Sequence, residues 1–233
     1  MNNIYFNFLL FIMYSFMGWL LEVIGKLIEK KRFINRGFLI GPICPIYGHG
    51  ALLIIFLLSK YKSNIFILFG MSILICSILE YFTSFIMEKI FKTRWWDYST
   101  KKFNINGRIC LDTMIPFAIF GCIVIYIINP FFIDMLNLVS TKTINIVSII
   151  LFILYLIDIS ISTKIIYNFR STITNAEKDA TEEITKRVRR IISRRGLLYK
   201  RLINAYPNMK SRKEILLILK NKIEKDLRNY NEK

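Results

Sequence analysis

The chain has few of the residues from which soluble catalytic and metal sites are built. It holds one histidine, four cysteines and only 16 acidic residues against 33 lysines and arginines. None of the cysteines forms a CxxC pair, so we expect no zinc or other metal site. The phosphate-binding loop GxxxxGK[ST] and the HExxH and GxSxG signatures are absent. The sequence therefore predicts neither ATP binding by that loop nor a cofactor, and it identifies no catalytic residue.

Long apolar runs are what the chain does have, with 54% hydrophobic residues and a mean hydropathy of +0.43. An apolar helix of about 20 residues spans a bilayer. Five runs qualify: 4–25, 39–59, 65–87, 113–133 and 144–162. We therefore predict an all-α integral membrane bundle of about five transmembrane helices in residues 1–163.

Residues 164–233 differ from the rest, because they hold 19 basic and 8 acidic residues and no spanning run. Acidic residues come before basic ones ahead of Gly196, which is typical of a helix and its C-terminal cap. After Pro207, apolar residues recur at the spacing of one helix face: Ile215, Leu219, Ile223 and Leu227. We predict a basic, amphipathic, helical cytoplasmic tail.

The basic residues also predict the orientation in the membrane. The four connections and the tail hold 5, 2, 6, 1 and 19 lysines and arginines in chain order. Because cytoplasmic loops are rich in Lys and Arg, loops one and three and the tail should lie in the cytoplasm, with the N-terminus outside. The net charge of +17 then follows from topology. We expect the bilayer of a bacterial cell membrane as partner and no nucleic acid.

Residues 33–50, FINRGFLIGPICPIYGHG, cannot form one regular helix, because they hold four glycines and two prolines. Non-helical backbone at membrane depth survives only where protein or a wet cavity covers it. We predict a broken, re-entrant approach to helix two, which becomes helical near Tyr47; a tight interfacial loop is the alternative. Its polar candidates are Asn35, Arg36, Tyr47 and His49. His49 is either a proton carrier near Glu80 or a hydrogen-bonded structural residue.

Carboxylates within the apolar runs are the strongest site candidates, because a charge in a bilayer is costly unless it is paired or hydrated. Glu80, Ser84 and Glu88 recur every four residues and therefore share one face of helix three. Glu80 is either functional or paired with Arg36 or Arg108. Glu22 lies one turn after Gly18 on helix one, and Asp158 lies in the cytoplasmic half of helix five. We expect all of them in one polar layer.

Loop three carries a second set of candidates. Trp95, Trp96 and Asp97 begin the segment WWDYS, residues 95–99. The tryptophan pair indicates either an interfacial platform or a membrane anchor. The Asn-Gly pair at 106–107 predicts a turn, after which Arg108 could reach a membrane-facing carboxylate. The substrate-binding candidates are completed by Asn104 and Asp112 in the same loop.

Three segments together resemble one bacterial membrane-protein family, the type IV ABC-transporter permeases: NRGFLIGPICPIYGHG, WWDYS and FNINGRICL. The likeness covers roughly residues 5–135, and Gly18-Trp19 with Glu22, and Glu80 with Glu88, also fit it. The resemblance implies an integral-membrane transport component that is powered by a separate ATPase subunit. It also implies a homo- or hetero-oligomer, since five helices rarely form a complete transport pathway alone.

Three functions remain open at this point. The first is a permease-like component with a polar site that faces the cytoplasm. The second is a membrane enzyme that acts on a lipid or amphiphile at the inner leaflet, with its carboxylates as acid and base groups and Arg36 and Arg108 holding an anionic headgroup. The third is a scaffold or regulator that acts through its basic tail.

Overall fold

The computed structural model describes residues 3–91 and 93–177, together with 201, 205, 210 and 211. The described chain is mostly helical, as predicted. Its helices are α1 (Ile4–Lys30), α2 (Pro45–Leu58), α3 (Ile65–Phe91), α4 (Leu111–Ile123), α5 (Asn129–Asn137) and α6 (Thr141–Glu177). A 3-10 turn, Ser59–Tyr61, follows α2, and a π-helical turn, Val124–Ile128, joins α4 to α5 without a break.

Four of these helical units are long and apolar enough to cross a membrane: Ile4–Lys30, Ile65–Phe91, Leu111–Asn137 and Thr141–Tyr167. Their most apolar windows are only 11–39% buried within the protein, so most of their side chains face outward. Such a surface is stable in lipid and not in water. The predicted helical bundle is confirmed, and the protein is a multi-pass membrane protein.

The second apolar helix is shorter than a full span. With its 3-10 turn it covers Pro45–Tyr61, or about 26 Å at a rise of ~1.5 Å per residue, against ~30 Å of hydrocarbon. Residues 31–44, which we call loop one, precede it as non-helical chain. The backbone N–H of Cys44 donates to the carbonyl of Ser15, midway along α1, at 3.0 Å. The broken approach to helix two is therefore present, and the helix begins at Pro45.

The helices pack so that the loops rich in basic residues meet at one end. Helix α1 contacts α2 and α6, while α3 contacts α2 and α4. Phe38 of loop one packs against Phe91 and Trp95, with ring centroids 5.6 and 5.9 Å away. Near the other end lies the main apolar core, which is centred on Leu10, Tyr14 and residues of α2, α3 and the π-helical turn. One end of the bundle is thus sealed by apolar packing, and the other is polar.

Loop three spans residues 92–110 and contains most of the strand pairing. Strand β2 (Asn104–Ile105) pairs antiparallel with β3 (Ile109–Cys110), and β1 (Thr93–Arg94) pairs antiparallel with β4 (Lys210–Ser211). Asn106 and Gly107 take φ values of +53° and +66° between β2 and β3. Two consecutive positive φ values define the type I′ turn that Asn-Gly favours. The predicted turn is confirmed.

Two described residues of the predicted tail, Arg201 and Ala205, contact loop one. The guanidinium of Arg201 donates to the carbonyls of Gly37, at 3.0 Å, and Leu39. Arg36 donates to the carbonyl of Ala205. The predicted tail helices around 177–196 and 215–227 lie outside the described residues. Because α6 continues to Glu177, the predicted domain boundary at 163 falls within a helix, and the division into two domains stays a prediction.

Asp158 of α6 holds the non-helical backbone of loop one in place. Its carboxylate accepts hydrogen bonds from the N–H groups of Ile40, at 2.9 Å, and Gly41, at 2.8 Å. A Cβ at Gly41 would lie 2.9 Å from the same carboxylate, so this approach requires glycine. Asn35 donates to the carbonyl of Ile40 at 2.9 Å. These bonds replace those that a helix would have supplied.

Replacing Asp158 with alanine should therefore destabilise the protein. Two N–H groups would lose their acceptor, and a buried donor without a partner costs about 1–3 kcal/mol. Asp158→Asn should lie between wild type and Asp158→Ala, because its amide oxygen still accepts one bond. Thermal unfolding in mild detergent measures the effect. The control is Asp134→Ala, which changes an exposed aspartate on α5. Equal melting temperatures for Asp158→Ala and Asp134→Ala would contradict the role of Asp158.

Candidate functional site

A cavity of about 600 Å³ lies at the polar end, between α1, loop one, the start of α2, α3, loop three, α4 and α6. We call it the polar cavity. Charged and aromatic side chains make up much of its wall. The charged residues that line it are Glu22, Lys26, Lys30, Arg36, Glu80 and Asp97. The aromatic residues that line it are Phe38, Tyr47, Trp95, Trp96, Tyr98, Phe117 and Tyr155. The volume is that of a small-molecule site.

Glu22 forms one side of the polar cavity and joins three elements. Its carboxylate accepts from Arg36 Nε of loop one and from the Tyr47 hydroxyl of α2, both at 3.0 Å. The Tyr47 ring fits there because residue 18, one turn before Glu22, is glycine. A Cβ at Gly18 would lie 2.1 Å from Cγ of Tyr47. The helix face that Gly18 and Glu22 share therefore binds Tyr47, with Gly18 leaving space for the ring and Glu22 accepting from the hydroxyl.

Glu80 lies deeper in the bundle and is 5% exposed. Its carboxylate accepts a hydrogen bond from Thr113 Oγ1 at 3.3 Å, and the Tyr98 hydroxyl also bonds to it. Both donors are neutral. Burial raises the pKa of Tyr98 well above its usual range, and the neighbouring Glu80 charge raises it further. Tyr98 therefore keeps its proton and remains a donor to Glu80.

A second carboxylate of α3, Glu88, belongs to a buried ion-pair network beside the polar cavity. It accepts from Arg94 Nε and from Arg108 Nη2, both at 3.0 Å. Arg108 also donates to Ser84 Oγ at 3.2 Å. One carboxylate between two guanidinium groups leaves the network with one net positive charge. The carboxylate of Asp97 balances it, with an oxygen 3.5 Å from Arg94 Nη1. The network fixes both ends of loop three to α3.

The ion pairs of Arg94 and Arg108 hold loop three in a position from which Tyr98 contacts Glu80. The N–H of Tyr98 donates to the carbonyl of Gly107 at 2.8 Å, and Asp97 accepts from the N–H of Ser99 at 3.0 Å. Trp96 Nε1 donates to the carbonyl of Arg108 at 3.0 Å. Asp97 and Trp96 thus act first as structural residues of the loop, although both also line the polar cavity.

The predicted candidates fall into three groups. Those that line the polar cavity are Glu22, Arg36, Tyr47, Glu80, Trp95, Trp96 and Asp97. Those that hold its walls are Asn35, Ser84, Glu88, Asn104 and Arg108, of which Asn35 accepts from Trp19 at 2.7 Å and Asn104 from Gly107 at 2.9 Å. The remaining two, His49 and Asp112, are exposed.

Neither exposed candidate joins the polar layer that the sequence predicted. His49 Nδ1 lies 2.8 Å from the carbonyl oxygen of Pro45, and its ring meets Phe11 edge-on at 4.9 Å. These contacts favour the structural interpretation of His49. Asp112 pairs with Lys101 at 3.2 Å, with both side chains more than half exposed. A pair of this kind contributes little to stability.

Some residues of the site were not among the sequence candidates. Tyr98 and Thr113 bond to Glu80, Lys26 and Lys30 line the polar cavity one and two turns after Glu22, and Tyr155 lines it from α6. The i, i+4, i+8 spacing of Glu22, Lys26 and Lys30 was a readable signal for one polar face. Nothing in the sequence indicated Thr113 or Tyr155.

Trp95 differs from a membrane anchor, because it is 3% exposed and packs on Phe38 and Phe91. Among the described residues, no group of three or more His, Cys, Asp or Glu side chains could hold a metal ion. The four cysteines are free thiols.

The charged, hydroxyl and aromatic side chains that line the polar cavity can bind a ligand by charge, hydrogen bonds and contact with ring faces.

The seating of Tyr47 can be tested with two glycines of the same helix. Gly18→Ala should lower stability by about 1–3 kcal/mol, because its Cβ would overlap the Tyr47 ring. Gly25→Ala is the control, since its Cβ would meet nothing within 4 Å and alanine favours the helix. Unfolding in mild detergent compares the two variants. If Gly18→Ala is as stable as Gly25→Ala, Tyr47 does not pack against α1 as described.

Comparison with known proteins places this architecture in a family. The family model described as "Putative ABC-transporter type IV" matches residues 9–163, which is more than half of the chain. The match covers all of loop one, loop three and the section of α6 that carries Asp158. No curated protein and no solved structure matches the chain. The chain therefore belongs to the type IV ABC-transporter family.

Proposed function

We propose that this protein is the permease-like component of a membrane transport system, with the polar cavity as its substrate site. The observation that carries the proposal is the polar cavity itself, about 600 Å³ in volume and lined by Glu22, Glu80 and aromatic rings. Membership of an ABC-transporter family supports a transport role. A broken backbone beside a buried charged site is also the usual construction of transporter sites.

The polar cavity faces the cytoplasm in this proposal, and the N-terminus lies outside the cell membrane. The positive-inside counts give that orientation. Their support is strengthened by packing, because loop one, loop three and the described tail residues meet at the same end. If these segments lay on opposite sides of the membrane, they could not contact one another as they do.

The proposal includes a separate ATPase as partner. The chain carries no GxxxxGK[ST] loop, and an ABC system needs an ATP-hydrolysing subunit. The docking surface would be the basic cytoplasmic end, where Lys31, Arg32, Lys101 and Lys102 are exposed. Assembly into a homo- or hetero-oligomer would complete the pathway, since most of the membrane surface of the bundle is apolar and available.

Purification from the native host tests this proposal. We expect an ATPase to co-purify in fixed stoichiometry, as measured by quantitative mass spectrometry. Reversing the charge of Arg32 and Lys102 together should weaken that association, whereas the same change at Lys60 and Lys62, in the connection between α2 and α3, should not. Glu80→Gln should keep the partner and reduce ATP-dependent transport, because it alters the polar cavity and not the docking surface.

Two results would contradict the proposal. A homo-oligomer that binds lipid without any ATPase would favour an enzyme that acts on a lipid or amphiphile at the inner leaflet. Full function of Glu80→Gln combined with loss of function on deletion of residues 178–233 would favour a scaffold or regulator that acts through its tail.

A further inference from the structure

The chemistry of the polar cavity indicates the class of ligand that it holds. Its walls present aromatic rings from five elements, including Tyr47, Trp96, Phe117 and Tyr155. Tyr47 and Phe117 lie edge-to-face with ring centroids 5.9 Å apart. Aromatic faces in a desolvated site attract cations, at about 0.5–2 kcal/mol for each ring in contact. The walls are therefore suited to an ammonium group.

The three carboxylates that line the polar cavity differ in what balances them. Glu22 is paired with Arg36 at 3.0 Å, and Asp97 lies 3.5 Å from Arg94. Glu80 receives its hydrogen bonds from the hydroxyls of Thr113 and Tyr98. Hydroxyl donors stabilise a carboxylate but do not cancel its charge. A buried charge without a cation is costly, and a bound cation would remove that cost.

The lysines lie further out than Glu80. Lys26 and Lys30 follow Glu22 by one and two turns of α1, or about 6 and 12 Å along the helix axis toward its cytoplasmic end. Lys26 is paired with Glu29. Arg36, the third basic residue of the lining, is paired with Glu22, so the two lysines are the basic groups at the mouth, and Glu80 and the aromatic rings lie further in. Ile46, Met87 and Ile159 supply apolar parts of the wall of the polar cavity.

We infer that the polar cavity binds an organic ammonium ion that carries an apolar group, with Glu80 as its counter-charge and the aromatic rings around it. This inference rests on the proposed function, because it names the substrate class of the same site. An anionic headgroup would instead meet Glu22, Glu80 and Asp97 at the inner end. The ammonium binds without a covalent step, so Glu80 and the rings are binding residues.

Two probes of equal chain length test the inference on the full-length chain in a neutral maltoside detergent. Decyltrimethylammonium and decyl sulfate are titrated below their micellar concentrations, with protein-free micelles as the blank. Binding is followed calorimetrically. We expect decyltrimethylammonium to bind at least about tenfold more tightly than decyl sulfate. Glu80→Gln should weaken decyltrimethylammonium by about tenfold or more, since it removes a buried unit charge.

Further variants separate binding from folding. Tyr155→Leu should weaken the ammonium several-fold, whereas Tyr155→Phe, which keeps the ring, should not. Asp112→Asn is the matched control for Glu80→Gln, because Asp112 is exposed and lies away from the polar cavity. Lys30→Gln should leave ammonium binding unchanged or stronger.

Two outcomes would overturn the inference. One is decyl sulfate binding as tightly as the ammonium and weakening in Lys30→Gln, which would make this an anion site. The other is ammonium binding that Glu80→Gln and Tyr155→Leu leave unchanged. These titrations need no ATPase, so their failure would leave the co-purification result standing, and loss of the ATPase partner would leave the binding result standing.

Discussion

The pairing of the Asp158 carboxylate with the N–H groups of Ile40 and Gly41 is the interaction on which the polar end depends. Loop one descends to the level of Ser15, midway along α1, without helical hydrogen bonds of its own. In such a place each unpaired N–H would cost about 1–3 kcal/mol. By accepting from two of them, Asp158 lets the backbone of loop one stay non-helical where it passes α6. The short helix α2 can then begin at Pro45, which places Tyr47 beside Glu22.

Glu80 and Glu88 share one face of α3 but have different roles, one in the wall of the polar cavity and one in a structural ion-pair network. Glu88 lies between Arg94 and Arg108 and holds loop three against the helix. Glu80, two turns deeper, receives hydroxyl donors and lines the polar cavity. The first arrangement is a satisfied structural network, because opposite charges cancel. In the second, neutral hydroxyl groups donate to the carboxylate, which faces a space large enough for a ligand, and for this reason the proposed ligand site includes Glu80.

Much of the fold could be predicted from the sequence, because apolar run length and glycine and proline positions act locally. The helices, the broken chain before Pro45 and the Asn106-Gly107 turn follow from such signals. The ion-pair partners of the arginines could not be predicted, because they depend on how loops one and three pack against α1 and α3. Arg36 and Arg108 were both candidate partners of Glu80, but they pair with Glu22 and Glu88. The exposed position of His49 depends on the rotation of α2, which its nearly uniform apolar sequence does not specify.

The most direct test of this account is the accessibility of two positions on α6 that lie two residues apart. Ile159 lines the polar cavity, whereas Ile157 is 50% exposed on the outer, lipid-facing surface of the bundle. Each is replaced by cysteine and treated in membrane vesicles with a membrane-impermeant trimethylammonium methanethiosulfonate, and peptide mass spectrometry distinguishes the new thiol from the native ones. The account predicts modification at position 159 from the cytoplasmic side only and none at position 157. Equal modification of both, no modification of either, or modification of position 159 from the outside would contradict it.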